Sequence, residues 1–124
     1  MRVLLDTHLL LWALAAPGRL SPAARQTIAA GDVYVSAASI WEISIKTQLG
    51  KLDANPRDVL AAVEPAGFSL LPITGEHAAR VAELPAVHRD PFDRMLAAQA
   101  SVEPMILLTN DAALSPYGSF VSVV

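Results

Sequence analysis

The stretch His88-Arg89-Asp90-Pro91-Phe92-Asp93-Arg94-Met95-Leu96-Ala97-Ala98-Gln99-Ala100 sets two carboxylates, two arginines and a histidine in front of an apolar, helix-forming run. Proline is favoured in the first turn of a helix, and it keeps the residue before it out of helical backbone angles, as a cap requires. Asp90 therefore reads as the N-cap, Pro91 as the first helical residue and Asp93 as the third, with Leu96, Ala97 and Ala100 on one side. Both aspartates could serve only the cap and the positive end of the helix. Asp90 suffices for the cap, however, which leaves Asp93 free to point off the helix start into a site.

Working outward from this helix, short apolar strands alternate with helices. Arg2–Leu5 is a β-type run ended by Asp6. A helix follows over Leu9–Ala15, capped by Asp6 or Thr7. Ser21-Pro22 opens a helix to about Ala30, and Val33–Val35 is a short buried strand. Ser36 to about Leu49 reads as a helix whose broad apolar face would comprise Ile40, Trp41, Ile43, Leu49 and the alkyl part of Lys46, with Gly50 ending it. Asn55-Pro56 starts a helix to about Ala66. Phe68–Ile73 is a strand that Pro72 assigns to an edge, and Thr74 caps a helix of about Glu76–Leu84. Met105–Leu108 and Ser119–Val124 are the last strands. This alternation predicts one α/β domain around a mostly parallel sheet covered on both faces.

The totals agree with a single domain of 124 residues, 53% apolar and 17% charged, which is too apolar for a disordered chain. The apolar surplus suggests that a partner covers part of it, with Leu9–Ala15 and the helix after Ser36 as the faces to present a groove, unless both are simply core. Without cysteine there is no disulfide and no thiolate metal site. The early charge at Asp6 argues against a signal peptide, and no apolar run approaches the roughly 18 residues that span a bilayer, so a cytoplasmic protein is expected. The net charge of −3 speaks against a broad nucleic-acid-binding face, but setting four of the twelve acids aside for a metal leaves eight against nine Lys and Arg.

In a parallel α/β sheet, sites form outside the carboxyl ends of the strands. Asp6 and Asp111 follow strands, while Glu42 and Asp93 lie near helix starts on the same rim. Each has a bland explanation: Asp6 and Asp111 as helix caps, Glu42 as the second member of a capping box with Ser39. Four carboxylates on one rim repel one another, and a divalent cation is the usual relief. With oxygen donors alone the choice is Mg²⁺ or Mn²⁺ rather than Zn²⁺. Such a site favours phosphoryl chemistry. Thr7 and Thr109 are candidates to orient ligands or water from behind. Lys46, Lys51, Arg89 and Arg94 could hold a polyanionic backbone, or form only a solvated face. His8 and His88 read as surface or capping residues, and Trp12 and Trp41 as core or interface aromatics. Phosphate-binding glycine loops, the serine-hydrolase elbow and the His-Glu-x-x-His metal motif are all missing.

Leu4-Leu5-Asp6-Thr7-His8, Ser39-Ile40-Trp41-Glu42-Ile43, Asp90–Ala100 and Leu108-Thr109-Asn110-Asp111, in that order, resemble the PIN domain, and more narrowly the VapC-type toxins of bacterial type II toxin–antitoxin pairs. The resemblance implies a three-layer α/β/α fold and a Mg²⁺- or Mn²⁺-dependent ribonuclease. It further implies a cognate VapB-like antitoxin and a homodimer or toxin–antitoxin hetero-oligomer. By position it makes Asp6, Glu42, Asp93 and Asp111 the catalytic, metal-holding acids, with Thr109 the hydroxyl before the last. Many relatives place more residues between that Thr and Asp, so a metal contact of Asp111 could run through water.

Two other classes stand beside this. A phospho-acceptor signalling domain of similar size needs an acidic pair near the first strand's end and a lysine after the last strand; here Asp6 stands alone and no lysine follows Lys51. A non-catalytic PIN-like domain that only binds RNA or protein would not need the complete acid set.

Overall fold

The computed structural model describes residues 1–124. Five strands form one wholly parallel sheet: β1 (Arg2–Leu5), β2 (Asp32–Ser36), β3 (Ser69–Leu71), β4 (Ile106–Thr109) and β5 (Val121–Val123), in the order β3-β2-β1-β4-β5. The helices are α1 (Thr7–Ala15), α2 (Pro22–Ala30), α3 (Ala37–Gln48), α4 (Pro56–Val63), α5 (Gly75–Arg80) and α6 (Pro91–Val102). Short 3₁₀ turns cover Pro17–Arg19, Val81–Glu83 and Ala112–Tyr117.

Period-two alternation along the strands divides the core into two layers. Val3 and Leu5 of β1, Val33 and Val35 of β2 and Leu108 of β4 face Leu9 and Leu10 of α1, Ala24 of α2, Ile43 of α3 and Val63 of α4. Leu4 and Leu107 point the other way, onto Leu96, Ala97 and Ala100 of α6 and onto Leu114 and Tyr117 of the last 3₁₀ turn. The molecule is thus the expected three-layer α/β/α sandwich. Its β1 is fully covered, with Val3, Leu4 and Leu5 all at 0% exposure.

The local rules are mostly obeyed. Asp90 caps α6, its Oδ1 accepting from the amides of Phe92 and Asp93 at 2.9 and 3.2 Å. Ser21, Asn55 and Thr74 cap α2, α4 and α5, and Gly50 leaves α3 with φ of 72°. Two readings of α3 are not met. Its cap is Ser36, whose Oγ accepts from Ala38 N at 2.9 Å, so Ser39 and Glu42 lie inside the helix and form no capping box. Trp41 and Leu49 are exposed rather than buried on its broad apolar face. The core takes only Ala38 and Ile43 of its apolar side chains fully, because a helix of this length meets the sheet along a narrow stripe. In α1, Leu9 and Leu10 are core, while Leu11 to Leu14 pack against it only partly buried.

Strand order reverses between β1 and β4: β2 and β3 extend to one side of β1, β4 and β5 to the other. The crevice outside the carboxyl ends of β1 and β4 is the topological switch point, where α/β sheets bind ligands. Asp6 follows β1 and Asp111 lies two residues beyond β4.

Candidate active site

Asp6 is both a cap and a site residue. Its Oδ1 accepts from Leu9 N at 2.8 Å, starting α1, and its Oδ2 accepts the Thr109 hydroxyl at 2.5 Å. The side chain is 4% exposed. Burial raises its pKa above the usual carboxylate value, and Glu42 adds to this, against the two hydrogen bonds and the nearby His8. Thr109 also accepts from Asp111 N at 3.0 Å, so one buried hydroxyl ties the ends of β1 and β4 together. Asp111 is exposed on the rim and caps the following turn through Ala113 N at 3.0 Å.

Glu42 sits in the second turn of α3 and is 5% exposed. Its Oε1 accepts the Thr7 hydroxyl at 2.7 Å and its Oε2 accepts from Lys46 Nζ at 2.6 Å. Thr7 Oγ1 lies 3.0 Å from Ser39 Oγ; with its single proton given to Glu42, it accepts the proton of Ser39.

Asp93, in the first turn of α6, is different. No group donates a hydrogen bond to its carboxylate, and His88 Nε2 stands 3.8 Å away, beyond hydrogen-bond distance. Burial, then the negative charges of Asp90, Glu42, Asp6 and Asp111, push its pKa up to about 7. That all four acids act on Asp93 places the whole predicted set around one rim. His88 Nδ1 accepts from Asp90 N at 3.3 Å, which leaves the proton on Nε2, buried and without a hydrogen-bond partner.

No three carboxylates or imidazoles close on a common point. The oxygen-only donor set and the uncompensated charge on Asp93 fit a hard divalent cation of the Mg²⁺ kind, which takes one or two carboxylates and keeps several waters.

The basic residues depart from expectation. Arg94 does not face a substrate groove: its guanidinium donates to the carbonyls of Val81 and Pro85 at 2.9 and 3.0 Å and lies over the Tyr117 ring, pinning the 81–88 connection to α6. Lys46 is bonded to Glu42, and its pKa is raised by that hydrogen bond first. Of the four bases, Arg89 and Lys51 are exposed without a bonded acid. Sequence reading also missed a buried polar chain behind the site. Ser36 Oγ donates to Gln99 Oε1 at 2.5 Å, Gln99 Nε2 reaches Pro72 O and His77 Nδ1 at 3.3 Å, and His77 Nε2 meets Glu103 Oε2 at 2.5 Å. Gln99 stands in an otherwise apolar helical run, and that was the available signal. Trp41 and Phe92, each one residue before an acid, meet edge-on at 5.2 Å and brace α3 against α6. The outer side of Trp41 borders a cavity of about 450 Å³ with Ile40, Leu60 and Leu70, away from the acids.

Replacing Asp90 by Ala separates cap from site. Loss of the cap is expected to cost about 1 kcal/mol. Removing its negative charge should lower the Asp93 pKa, which a carboxyl-carbon NMR titration would read; an unchanged value would mean that Asp90 acts on α6 alone.

These features converge on one class of protein. The PIN domain model matches residues 3–118, and the chain belongs to that family. The fold is similar to that of VapBC2 from Rickettsia felis, solved bound to a DNA fragment from their promoter, with a TM-score of 0.72 at 13% identity over 100% of this chain and 98% of that one. It is also similar to FitAcB from Neisseria gonorrhoeae, with a TM-score of 0.61 at 22% identity over 90% and 89% of the two chains. No curated protein matches the sequence. No helix is long and apolar enough to cross a membrane.

Proposed function

We propose that this PIN domain is a divalent-metal-dependent endoribonuclease, the toxin of a VapBC-type pair with a cognate VapB-like antitoxin as partner. The observation that carries the reading is the rim at the β1–β4 switch point, where Asp93 stands without a hydrogen-bond donor among Asp6, Glu42, Asp90 and Asp111. PIN domains are generally nucleases, which supports the chemistry, and the likeness to VapBC2 and FitAcB supports the toxin role.

A bound Mg²⁺ or Mn²⁺ would polarise the phosphate, acidify water and neutralise charge on the leaving oxygen. The chain supplies the rest. Asp6 and Asp93 present their carboxylates from rigid helix starts, Thr109 and Thr7 fix the orientation of Asp6 and Glu42, and Asp111 closes the rim, through water if not directly. Arg89 is the exposed cation best placed to meet the RNA backbone. Hydrolysis of a phosphodiester there would leave a 5′-phosphate and a 3′-hydroxyl, and unpaired RNA is the physical default for a shallow rim.

Purified protein incubated with RNA is expected to cleave in Mn²⁺ or Mg²⁺ and to stop in EDTA. RNA retention on the protein without cleavage in either metal would favour the non-catalytic PIN-like alternative.

A further inference from the structure

Glu42 is buried with both oxygens engaged, while its partner Lys46 reaches in from solvent one turn further along α3, its side chain 39% exposed. Exposed i,i+4 pairs on helices contribute little. This one differs because its acid is buried and because the ammonium also feels the charges of Asp90 and Asp93. No arginine and no other lysine hydrogen-bonds any of Asp6, Glu42, Asp93 or Asp111. Without Lys46, the rim would hold four acids and no full positive charge in contact with them.

We propose that Lys46 is the built-in counter-charge of the acid rim: its ammonium holds Glu42 in place in the metal-free protein and yields Oε2 to an incoming divalent cation. The inference rests on reading the rim as a cation site, and it makes Lys46 a positioning residue rather than a catalytic one. Two positive charges cannot share one carboxylate oxygen without repulsion, so the lysine and the ion compete. Once released, the flexible stem leaves the ammonium at the rim, free to meet an RNA phosphate. One side chain would then serve the acid and the substrate in turn.

Competition fixes the sign of a test that a plain structural role would reverse. The full chain, stripped with EDTA, is titrated with Mn²⁺ by calorimetry alongside Lys46→Met and Lys46→Arg. Removing a unit charge beside a divalent ion should tighten Mn²⁺ binding by roughly fivefold to tenfold at low salt. Lys46→Met should also melt lower than the parent in EDTA and gain more from added Mn²⁺, whereas Lys46→Arg should restore parental behaviour. In the unmutated protein, diamagnetic Mg²⁺ should move the Lys46 side-chain NMR signals. Affinity in Lys46→Met that is weaker or within twofold of the parent overturns the counter-charge role alone, as do Lys46 signals that ignore saturating Mg²⁺. Failure of the parent to bind Mn²⁺ at all overturns the cation-site reading and this inference with it.

Discussion

Replacing Asp93 by Asn is expected to abolish RNA cleavage and to leave a folded protein that, without metal at neutral pH, is more stable than its parent. The loss should be roughly 10²–10³-fold or more, the scale on which single groups that stabilise transition-state charge act. The gain in stability follows from linkage. In the unfolded chain Asp93 ionises near its ordinary value of 3.8, whereas in the folded one it holds its proton to about 7. Between these values the folded state binds more protons, so its stability falls as pH rises from about 4 to about 7 and then levels. The upper bound on this cost is roughly 4 kcal/mol. Burial raises the pKa of Asp6 as well, so a smaller slope of the same sign should persist in Asp93→Asn. Urea melts in EDTA at pH 5 and 8, beside a cleavage assay and growth on induction, check all of this. Cleavage at the parental rate would remove Asp93 from the chemistry.

Asp6 offers the second large effect, because one carboxylate carries two duties that different substitutions separate. Asp6→Asn keeps an oxygen for Leu9 N and should fold with a melting temperature close to the parent's, yet cleave no RNA. Asp6→Ala should be equally inactive and clearly less stable. It loses a cap worth about 1–2 kcal/mol and strands the buried Thr109 hydroxyl at a further cost of about 1–3 kcal/mol. A fall in melting temperature of about 10 °C is expected for Ala. Cleavage by Asp6→Asn, or equal melting of the two variants, would contradict the assignment of both duties to this side chain.

Much of the frame was legible before any coordinates, because it rests on short-range rules. A proline after Asp90 and an apolar run behind it are enough to place the cap of α6 and to release Asp93 from capping. Parallel packing could be inferred from Val3–Leu5, Val33–Val35 and Ile106–Leu108, which are too short and too apolar to be half-exposed. What escaped depends on which groups meet across the fold. Glu42 turns to Thr7 and Lys46 rather than back to a cap, which the Ser39–Glu42 spacing does not reveal. Arg94 is spent on the carbonyls of Val81 and Pro85, a use that neighbouring residues in the sequence do not announce. Gln99 and His77 pair because α5 and α6 pack together, and a buried polar residue in each helix does not name its partner. Trp41 carries the same lesson in reverse, being apolar and suitably spaced yet left outside the stripe that the sheet covers.

The pairing of Asp6 with Thr109, 103 residues apart, has a consequence for synthesis. On the ribosome β1 emerges first but sits at the centre of the sheet, and its β4 neighbour comes almost last. The switch-point crevice therefore has one wall until Ile106–Thr109 have emerged, and contacts of such separation close late. A nascent or prematurely ended chain carries Asp6, Glu42 and even Asp93 with nothing to gather them. If the domain cuts RNA as proposed, this strand order has a consequence: the proposed rim cannot assemble beside the translating message before β4 has left the tunnel.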